Sequence, residues 1–443
     1  MASISPTLLR IKDELHRFLP DEAILVACRA AGHRWRHRRF DPVVTLHLFI
    51  LQILCFNTAM THLRHLSKMP VKAAAYCKAR MRLPLAVLQQ LLRSSAEAMR
   101  PGGVHQRRTF LVDGTSTITP DMPELQRAFG QPKACRKGCG FPVPKILALL
   151  DAVSGMVVEA MGFALYTHEQ SKVWLLHPLL AAGDVLVGDR GFCSFVHLAM
   201  LQIRGVDGLF RMHQRQIASF RPHRKHRRGR NKKYRKGMPS SRFVQRLGKY
   251  DQIVEWTRQH RPRWMSPEQF KALPSTLRVR ELRYWLPRKG QRTLCVTIVT
   301  TLLDPVQYPK EEIARLYNLR WTAETHFAEL KTTLKMRRLK CKTEAGIRKE
   351  LAVYFLVYNL IHAVMLEAAS RQKVEVSRIS FIDAARWLLW AQPGEELKEL
   401  VANPFRPDRH EPRVIKDRQD TYTKMLHPRS VLRKTLLKQA KGA

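Results

Sequence analysis

Residues 317–331 read YNLRWTAETHFAELK, and the organisation of the whole chain can be inferred outward from this stretch. Tyr317, Arg320, Glu324 and Lys331 lie at offsets of 0, 3, 7 and 14 residues within it. At about 100° per residue on an α-helix, these four side chains fall within one narrow stripe. The pattern predicts a helix that carries one acid among two bases and a tyrosine.

An apolar stripe runs beside the polar one. Its members recur every three or four residues and are Ala323, Phe327, Leu330 and Leu334. Such a helix can pack its apolar edge on a core and present Glu324 with its basic neighbours beside that edge. The same spacing is also typical of a surface helix with salt-bridged charges, so other parts of the chain have to distinguish the two interpretations.

The charge balance of the chain indicates a polyanionic partner. The 443 residues include 78 Lys and Arg against 36 Asp and Glu, which gives a net charge of +42. A surplus of this size repels itself in the folded state, and nucleic acid is the common polyanion that relieves it. An acidic membrane surface is the alternative, but it would normally be accompanied by a lipid anchor or a spanning helix.

Neither a targeting segment nor a membrane span is predicted. Arg10, Lys12 and Asp13 interrupt the N-terminus, and the apolar stretches Val43–Met60 and Leu351–Ala369 carry polar residues typical of buried helices. The eight cysteines are scattered, which favours reduced thiols over a disulfide framework. We therefore expect a cytoplasmic protein with no membrane partner.

Composition and periodicity divide the chain into five parts. Helical periods with basic faces fill the first part, which fits a DNA-binding domain and, equally well, a helical bundle with a solvated Arg face. Short strands and helices then alternate, which indicates a mixed α/β (α+β) core. The predicted parts are a helical N-terminal domain (1–105), the first part of the core (106–213), a basic β-rich insertion (214–300), the second part of the core with the stretch quoted above (301–395), and a basic tail (396–443).

Two acids stand where predicted strands give way to loops. Asp113 ends the apolar run that begins at Phe110, and Asp189 follows the predicted strand Asp184–Val187. Because the ends of neighbouring strands meet at one edge of a sheet, both carboxylates are expected there, with Glu324 contributed by the helix. Three converging carboxylates repel one another unless cations lie among them, and Mg²⁺ prefers such oxygen ligands.

Such a site could perform phosphodiester chemistry. Two Mg²⁺ or Mn²⁺ ions about 4 Å apart can activate a water or a 3′-hydroxyl and stabilise the leaving oxygen of an in-line displacement. In a protein this basic the expected electrophile is DNA, and Tyr317, Arg320 and Lys331 would hold a phosphate beside the metals. His326 lies roughly opposite Glu324 on the helical wheel, and this chemistry requires no histidine, so His326 is left out of the predicted site.

A run of positive charge interrupts the predicted core. No Asp or Glu occurs between Asp207 and Asp251, and ten of the sixteen residues Arg221–Lys236 are Lys or Arg. The run is internal and flanked by predicted strands, which favours a loop ordered by DNA phosphates over a solvated tail. The candidate DNA-binding residues in it are Arg224, Lys225, Arg227, Arg228, Lys232 and Lys233.

The spacing Y-x2-R-x3-E-x6-K in residues 317–331 resembles the signature of the insertion-sequence-four (IS4) group of DDE transposases. Three further segments agree with it, namely LVDGTS at 111–116, AFGQPKACRKGCGFPVPKILALLD at 128–151 and VGDRGF at 187–192. The resemblance extends from roughly residue 20 to residue 400 and is specific as a combination. The basic run is the segment that matches the family least.

The resemblance implies a ribonuclease-H-like catalytic core in which Asp113, Asp189 and Glu324 are the metal-binding acids, with a β-rich insertion before the Glu. It also implies cleavage at the inverted-repeat ends of a transposon and joining of those ends to target DNA. Tyr317, Arg320 and Lys331 match the residues with which family members contact the transposon end. Cleavage of both ends in one complex suggests at least a homodimer.

Two other functions fit the same residues. A ribonuclease-H-like nuclease or junction resolvase would share the carboxylates but would not join strands. A DNA-binding protein derived from a transposase would have lost catalysis, although the intact acids argue against it. Short inverted repeats flanking the coding region would favour an active mobile element.

Overall fold

The computed structural model of the chain describes residues 19–36, 39–67, 69–99, 107–133, 139–213, 215–216, 218–220, 238–286, 294–390 and 395–404, together with 427, 431–432, 434–435 and 438.

The part before the sheet is helical. Its α-helices are α1 (Asp21–Ala30), α2 (Pro42–Leu54), α3 (Leu63–Leu66), α4 (Ala73–Arg82) and α5 (Leu85–Ala98). Asp41 caps α2 by accepting a hydrogen bond from the Val44 backbone N–H at 2.8 Å, and Pro42 follows at a position where its missing N–H is not needed. Nearly all of α2 is buried, so this helix is a core element of the protein.

A mixed sheet follows the helices. Its first strands are β1 (Thr109–Ser116), β2 (Lys145–Asp151), β3 (Val157–Phe163), β4 (Val185–Gly188) and β5 (Asp207–Arg211), with helices α6 (Pro123–Phe129) and α7 (Phe195–Ile203) between them. The spatial order is β3-β2-β1-β4-β5, in which β1 to β3 are antiparallel and β4 and β5 run parallel to β1. This is the ribonuclease-H-like arrangement, and the predicted mixed α/β class is confirmed.

Four later strands extend the same sheet. They are β6 (Ser240–Gly248), β7 (Asp251–Thr257), β8 (Thr276–Leu286) and β9 (Leu294–Thr300), with the short helix α8 (Pro267–Lys271) between β7 and β8. Strand β9 pairs antiparallel with β5, Phe210 lying opposite Val299, and the order continues as β9-β8-β7-β6. The β-rich segment therefore continues the core sheet beyond β5.

Helices return after the sheet. They are α9 (Lys310–Asn318), α10 (Arg320–Ala328), α11 (Glu344–Gln372) and α12 (Phe381–Trp390). Among the described residues, α11 alone is long and apolar enough to cross a membrane, but 89% of its most apolar window is buried inside the protein. Its polar residues have internal partners; Asn359, for example, bonds to both the N–H and the C=O of Val157 on β3.

The side chains of the sheet alternate between two apolar cores, as the pleat requires. Leu111, Val185 and Val187 face a core that includes α2, α10 and α11. Phe110 and Val112 face the opposite core, which includes α7. The face of the sheet to which a residue belongs can thus be read from its position in the strand.

Two details differ from the sequence-based expectation. Strand β1 does not end at Asp113 but runs to Ser116, because β2 continues to pair with it after β4 has separated. The helix predicted over residues 317–331 is divided, since α9 ends at Asn318, α10 begins at Arg320, and a π-helical turn spans Glu329–Thr333. The wider π turn changes the angular spacing before Lys331.

Candidate active site at the edge of strands β1 and β4

Asp113 and Asp189 occupy neighbouring positions where β1 and β4 separate. The last paired residues of these parallel strands are Val112 and Gly188, so the next residue of each chain segment is one of the two acids. Alternation along β1 places Asp113 on the same face as Leu111, which is the face covered by α10 and α11. Both acids therefore lie at one edge of the sheet.

Helix α10 brings a third acid to this edge. Ala323 is fully buried, and α10 packs against β1. The charges of Glu324 and Asp189 both act on Asp113, as does the charge of Arg320. The Glu324 side chain is 53% exposed, so the group of acids opens to solvent and is accessible to a large substrate.

Arg320 is the base that lies among these acids. Its residue is only 8% exposed, and its Nη1 donates a hydrogen bond of 2.9 Å to Glu324 Oε1. The guanidinium also lies 4.3 Å from the centre of the Trp321 ring. Its Nε atom is buried without a hydrogen-bond partner among the described residues.

Tyr317 and Arg211 complete the buried side of the group. Tyr317 is 2% exposed, and burial raises the pKa of its hydroxyl, while the charges of Arg320 and Arg211 lower it and that of Asp189 raises it. Arg211 was not predicted as a site residue. Phe210 on β5 pairs with Gly188 on β4, and this is the last pair of the two strands. Arg211 follows Phe210 just as Asp189 follows Gly188, so the two residues occupy neighbouring positions. The strand-end rule that selected the acids would have found it.

The remaining predicted DNA contacts are Lys331 and six residues of the basic run. Lys331 is in the π turn, where burial and the charge of Arg337 lower the pKa of its amino group. The six basic-run residues Arg224, Lys225, Arg227, Arg228, Lys232 and Lys233 lie outside the described part of the chain.

The ionisation of Asp113 reflects the crowding of acids. Burial raises the pKa of Asp113 to about 6; the hydrogen bond from the Gly114 N–H and the charge of Arg320 lower it, while Asp189 and Glu324 raise it further. In the metal-free protein, ionisation of Asp113 therefore costs more free energy than ionisation of an ordinary aspartate. A cation placed among the three carboxylates would remove this penalty, so the donor set fits a divalent metal ion.

Replacement of Asp113 by asparagine is expected to stabilise the metal-free protein at neutral pH. The pKa of Asp113 in the folded protein lies above its ordinary value of 3.8. Ionisation of Asp113 therefore lowers the free energy of unfolding above pH 6, and this loss disappears as the pH falls below about 4. The gain in free energy of unfolding is at most about 3 kcal/mol at pH 7.5. Thermal unfolding in EDTA at pH 7.5 and pH 4.5 measures it. A stability difference that does not shrink at the lower pH would contradict this account.

Comparison with known proteins identifies the family. Residues 104–360 match the model of the family described as "Transposase DDE domain". The chain is 24% identical over 377 residues to the transposase InsG for insertion sequence element IS4 of Escherichia coli K12, covering 80% of this chain and 78% of that one. It is 27% identical over 141 residues to the putative transposase InsZ of the same organism, covering 30% of this chain and 46% of that one.

One solved structure that matches the chain in part is a piggyBac transposase synaptic complex with hairpin DNA. It is 10% identical in sequence, with a TM-score of 0.44, and the match covers 86% of this chain and 79% of that one.

The family match covers more than half of the chain and includes β1, β4 and α10. DDE transposases act on DNA and use a divalent metal ion, for which the three carboxylates at this edge are suitable ligands. The resemblance seen in the sequence is thereby confirmed. The chain belongs to the DDE-domain transposase family, in its IS4 group, and is a DNA transposase.

Proposed function

We propose that Asp113, Asp189 and Glu324 bind two Mg²⁺ ions, for which Mn²⁺ can substitute. With them the protein cuts DNA at the inverted-repeat ends of an insertion sequence and joins these ends to target DNA. The observation that carries the proposal is the β1–β4 register, in which Asp113 and Asp189 directly follow the last paired residues while α10 presents Glu324 to the same edge. The test is incubation of end duplexes with a target plasmid and Mg²⁺, scored for cleavage and for strand transfer.

Different side chains of the site would bind the metal ions, orient Glu324 and hold the DNA phosphate. When bound, Mg²⁺ supplies Lewis-acid activation of a water or 3′-hydroxyl and stabilises negative charge on the leaving oxygen. Arg320 orients Glu324 through their 2.9 Å hydrogen bond, and its guanidinium charge would attract a DNA phosphate beside the metals. Tyr317 supports the Arg320 guanidinium, 5.9 Å from its ring, and Lys331 contacts the transposon end farther along the backbone.

The other parts of the chain would position the DNA. In the helical part (1–105), a groove lined by Arg34, Trp35, Arg36 and Arg82 combines positive charge with an aromatic ring, which supports a nucleic-acid contact. Residues 106–213 and 301–395 form the catalytic core, 214–300 the insertion and 396–443 a basic tail. Two copies of the chain would act together on the two ends, in the cytoplasm and at the nucleoid.

Neutralising the basic run is expected to weaken DNA binding and to flatten its salt dependence. Substituting Gln at Arg224, Lys225, Arg227, Arg228, Lys232 and Lys233 should reduce the slope of log K against log salt by about 0.9 for each phosphate that the variant no longer neutralises. Fluorescence anisotropy with an end duplex at several salt concentrations measures the slope. A variant with the same residues of Arg221–Lys236 in scrambled order should keep it, because the interaction depends on charge. An unchanged slope in the Gln variant would mean that the run is solvated in the complex.

A further inference from the structure

A second cluster of potential metal ligands lies away from the three acids. His326 is in α10, Glu329 is in the π-helical turn, and His362 is in α11. Glu329 Oε2 lies 3.7 Å from His326 Nδ1 and 3.7 Å from His362 Nε2, and one donor atom of each residue lies within 4.8 Å of the others. Two ligands of a tetrahedral zinc ion lie roughly 3.4 Å apart, since each is about 2.1 Å from the metal. The cluster is close to that spacing.

The two histidines favour an ionised Glu329. Burial raises the pKa of Glu329, but hydrogen bonding to His326 and His362 and the charges of these two rings lower it to about 2. Burial lowers the pKa of His362, while its interactions with Glu329 raise it. Binding of a metal ion here would displace the protons of the imidazoles, because its ligands have to be a carboxylate and neutral imidazoles.

His362 is a buried imidazole whose contact with Glu329 is longer than an ordinary hydrogen bond. The residue is 2% exposed, and among the described residues neither ring nitrogen has a hydrogen bond of ordinary length. Its Nε2 points instead toward Glu329 at 3.7 Å, a separation that a shared ion would bridge. Buried polar atoms without partners are rare in folded proteins, and an ion is one of their explanations.

The surroundings hold the three residues in place. The Tyr358 hydroxyl is hydrogen-bonded to His326 Nδ1 at 2.6 Å and donates to Glu329 Oε2 at 3.2 Å. An ion on His326 Nδ1 would replace the first of these contacts and leave Tyr358 donating to Glu329. Gly155, in the turn between β2 and β3, has φ +70°, and a Cβ there would come within 2.9 Å of His362 Cε1 and 3.2 Å of His326 Cε1. The backbone of this turn therefore closes over both rings at a distance that only glycine permits.

We propose that His326, Glu329 and His362 form a structural site for a borderline transition-metal ion, with Zn²⁺ as its representative. Two imidazoles and one carboxylate are a ligand set typical of zinc, whereas Mg²⁺ prefers oxygen ligands alone. The ion would fasten α10 and the π turn to α11. Because His326 is two residues from Glu324, the same ion would fix the helix that carries the third acid of the active site.

The site predicts a stoichiometry that can be measured on the intact, untagged protein. After removal of metals with a chelator, equilibrium dialysis against Zn²⁺ in the presence of excess Mg²⁺ should leave one tightly bound Zn²⁺ per chain. His362→Ala and the nearly isosteric Glu329→Gln should each lose that ion. Asp189→Ala should retain it, which separates this site from the three acids. Co²⁺ in place of Zn²⁺ should give visible absorption that disappears in the same two variants.

A matched control is provided by His177. It is also a buried histidine without hydrogen-bond partners for its ring nitrogens among the described residues, but it stacks on His197, 5.0 Å between ring centres, with burial and the charge of His197 lowering its pKa to about 2. His177→Ala should bind Zn²⁺ like the wild type. If Glu329→Gln, folded as judged by circular dichroism, binds as much Zn²⁺ as the wild type, the proposal is wrong. If the wild type retains no Zn²⁺ under these conditions, the cluster is a hydrogen-bonded group without a metal and the proposal is equally wrong.

Discussion

Substitution of alanine for Asp113, Asp189 or Glu324 is expected to lower the rate of Mg²⁺-dependent end cleavage by at least about a thousandfold, because each loss removes a metal ligand worth several kcal/mol in the transition state. Binding of the transposon end should change little, since the acids contribute no attraction to a polyanion. Single-turnover cleavage of a labelled end duplex measures the rate, and anisotropy with the same duplex measures binding.

Glu169 offers a matched control for the acid variants. A Cβ added to Gly114 would lie only 2.7 Å from Glu169 Oε1. Because neighbouring residues of a strand face opposite sides, the Glu169 carboxylate lies on the face of β1 opposite Asp113. Lys145 Nζ is 3.9 Å from the same Oε1 atom. Glu169→Gln should therefore cleave at nearly the wild-type rate. Any of the three alanine variants that also cuts at nearly the wild-type rate would show that its acid is not a ligand.

Replacement of Arg320 by alanine is expected to have the next largest effect, a loss of roughly a hundredfold in cleavage rate. The change removes the hydrogen bond that orients Glu324 and the guanidinium that would attract a phosphate. It also removes a charge that lowers the pKa of Asp113, so the acid limb of the pH–rate profile at limiting Mg²⁺ should move to higher pH. Arg320→Lys should restore little, because an ammonium cannot make both contacts of the planar guanidinium.

Arg315 provides the control for this substitution. It lies on the preceding helix, is 64% exposed at its side chain, and pairs with Glu312 at 2.7 Å. Arg315→Ala removes the same charge from the surface and should change the cleavage rate less than about threefold, as expected of an exposed ion pair. Equal losses for the two variants would mean that Arg320 contributes only its charge, and an unshifted acid limb would mean that it does not act on Asp113.

The sequence predicted those structural features around the candidate site that depend on local pattern. The apolar stripe of Ala323, Phe327, Leu330 and Leu334 is buried, as expected, because helical periodicity is a local property. The place where β1 and β4 separate, after Val112 and Gly188, could be read from short apolar runs followed by an acid, although β1 itself continues to Ser116. The metal-binding and DNA-binding roles of these residues remain predictions until the variants are measured.

Features that depend on distant parts of the chain were not predictable. Pairing of β5 with β9 joins residues about ninety positions apart, and nothing in either strand specifies the partner. The π turn at Glu329–Thr333 shifts Lys331 out of the regular stripe, and helical-wheel reasoning assumes a constant period. Helical-wheel reasoning also could not show that His362, on another helix, lies beside Glu329.

The most direct test of the central claim is incubation of the purified protein with duplexes of its own element's ends, a target plasmid and Mg²⁺, with cleavage and strand transfer scored separately. The account predicts both products in Mg²⁺ or Mn²⁺, neither in EDTA, and neither with Glu324→Ala. Cleavage without strand transfer would indicate a nuclease, and cleavage that persists in EDTA or in the Glu324→Ala variant would contradict a metal centre formed by Asp113, Asp189 and Glu324.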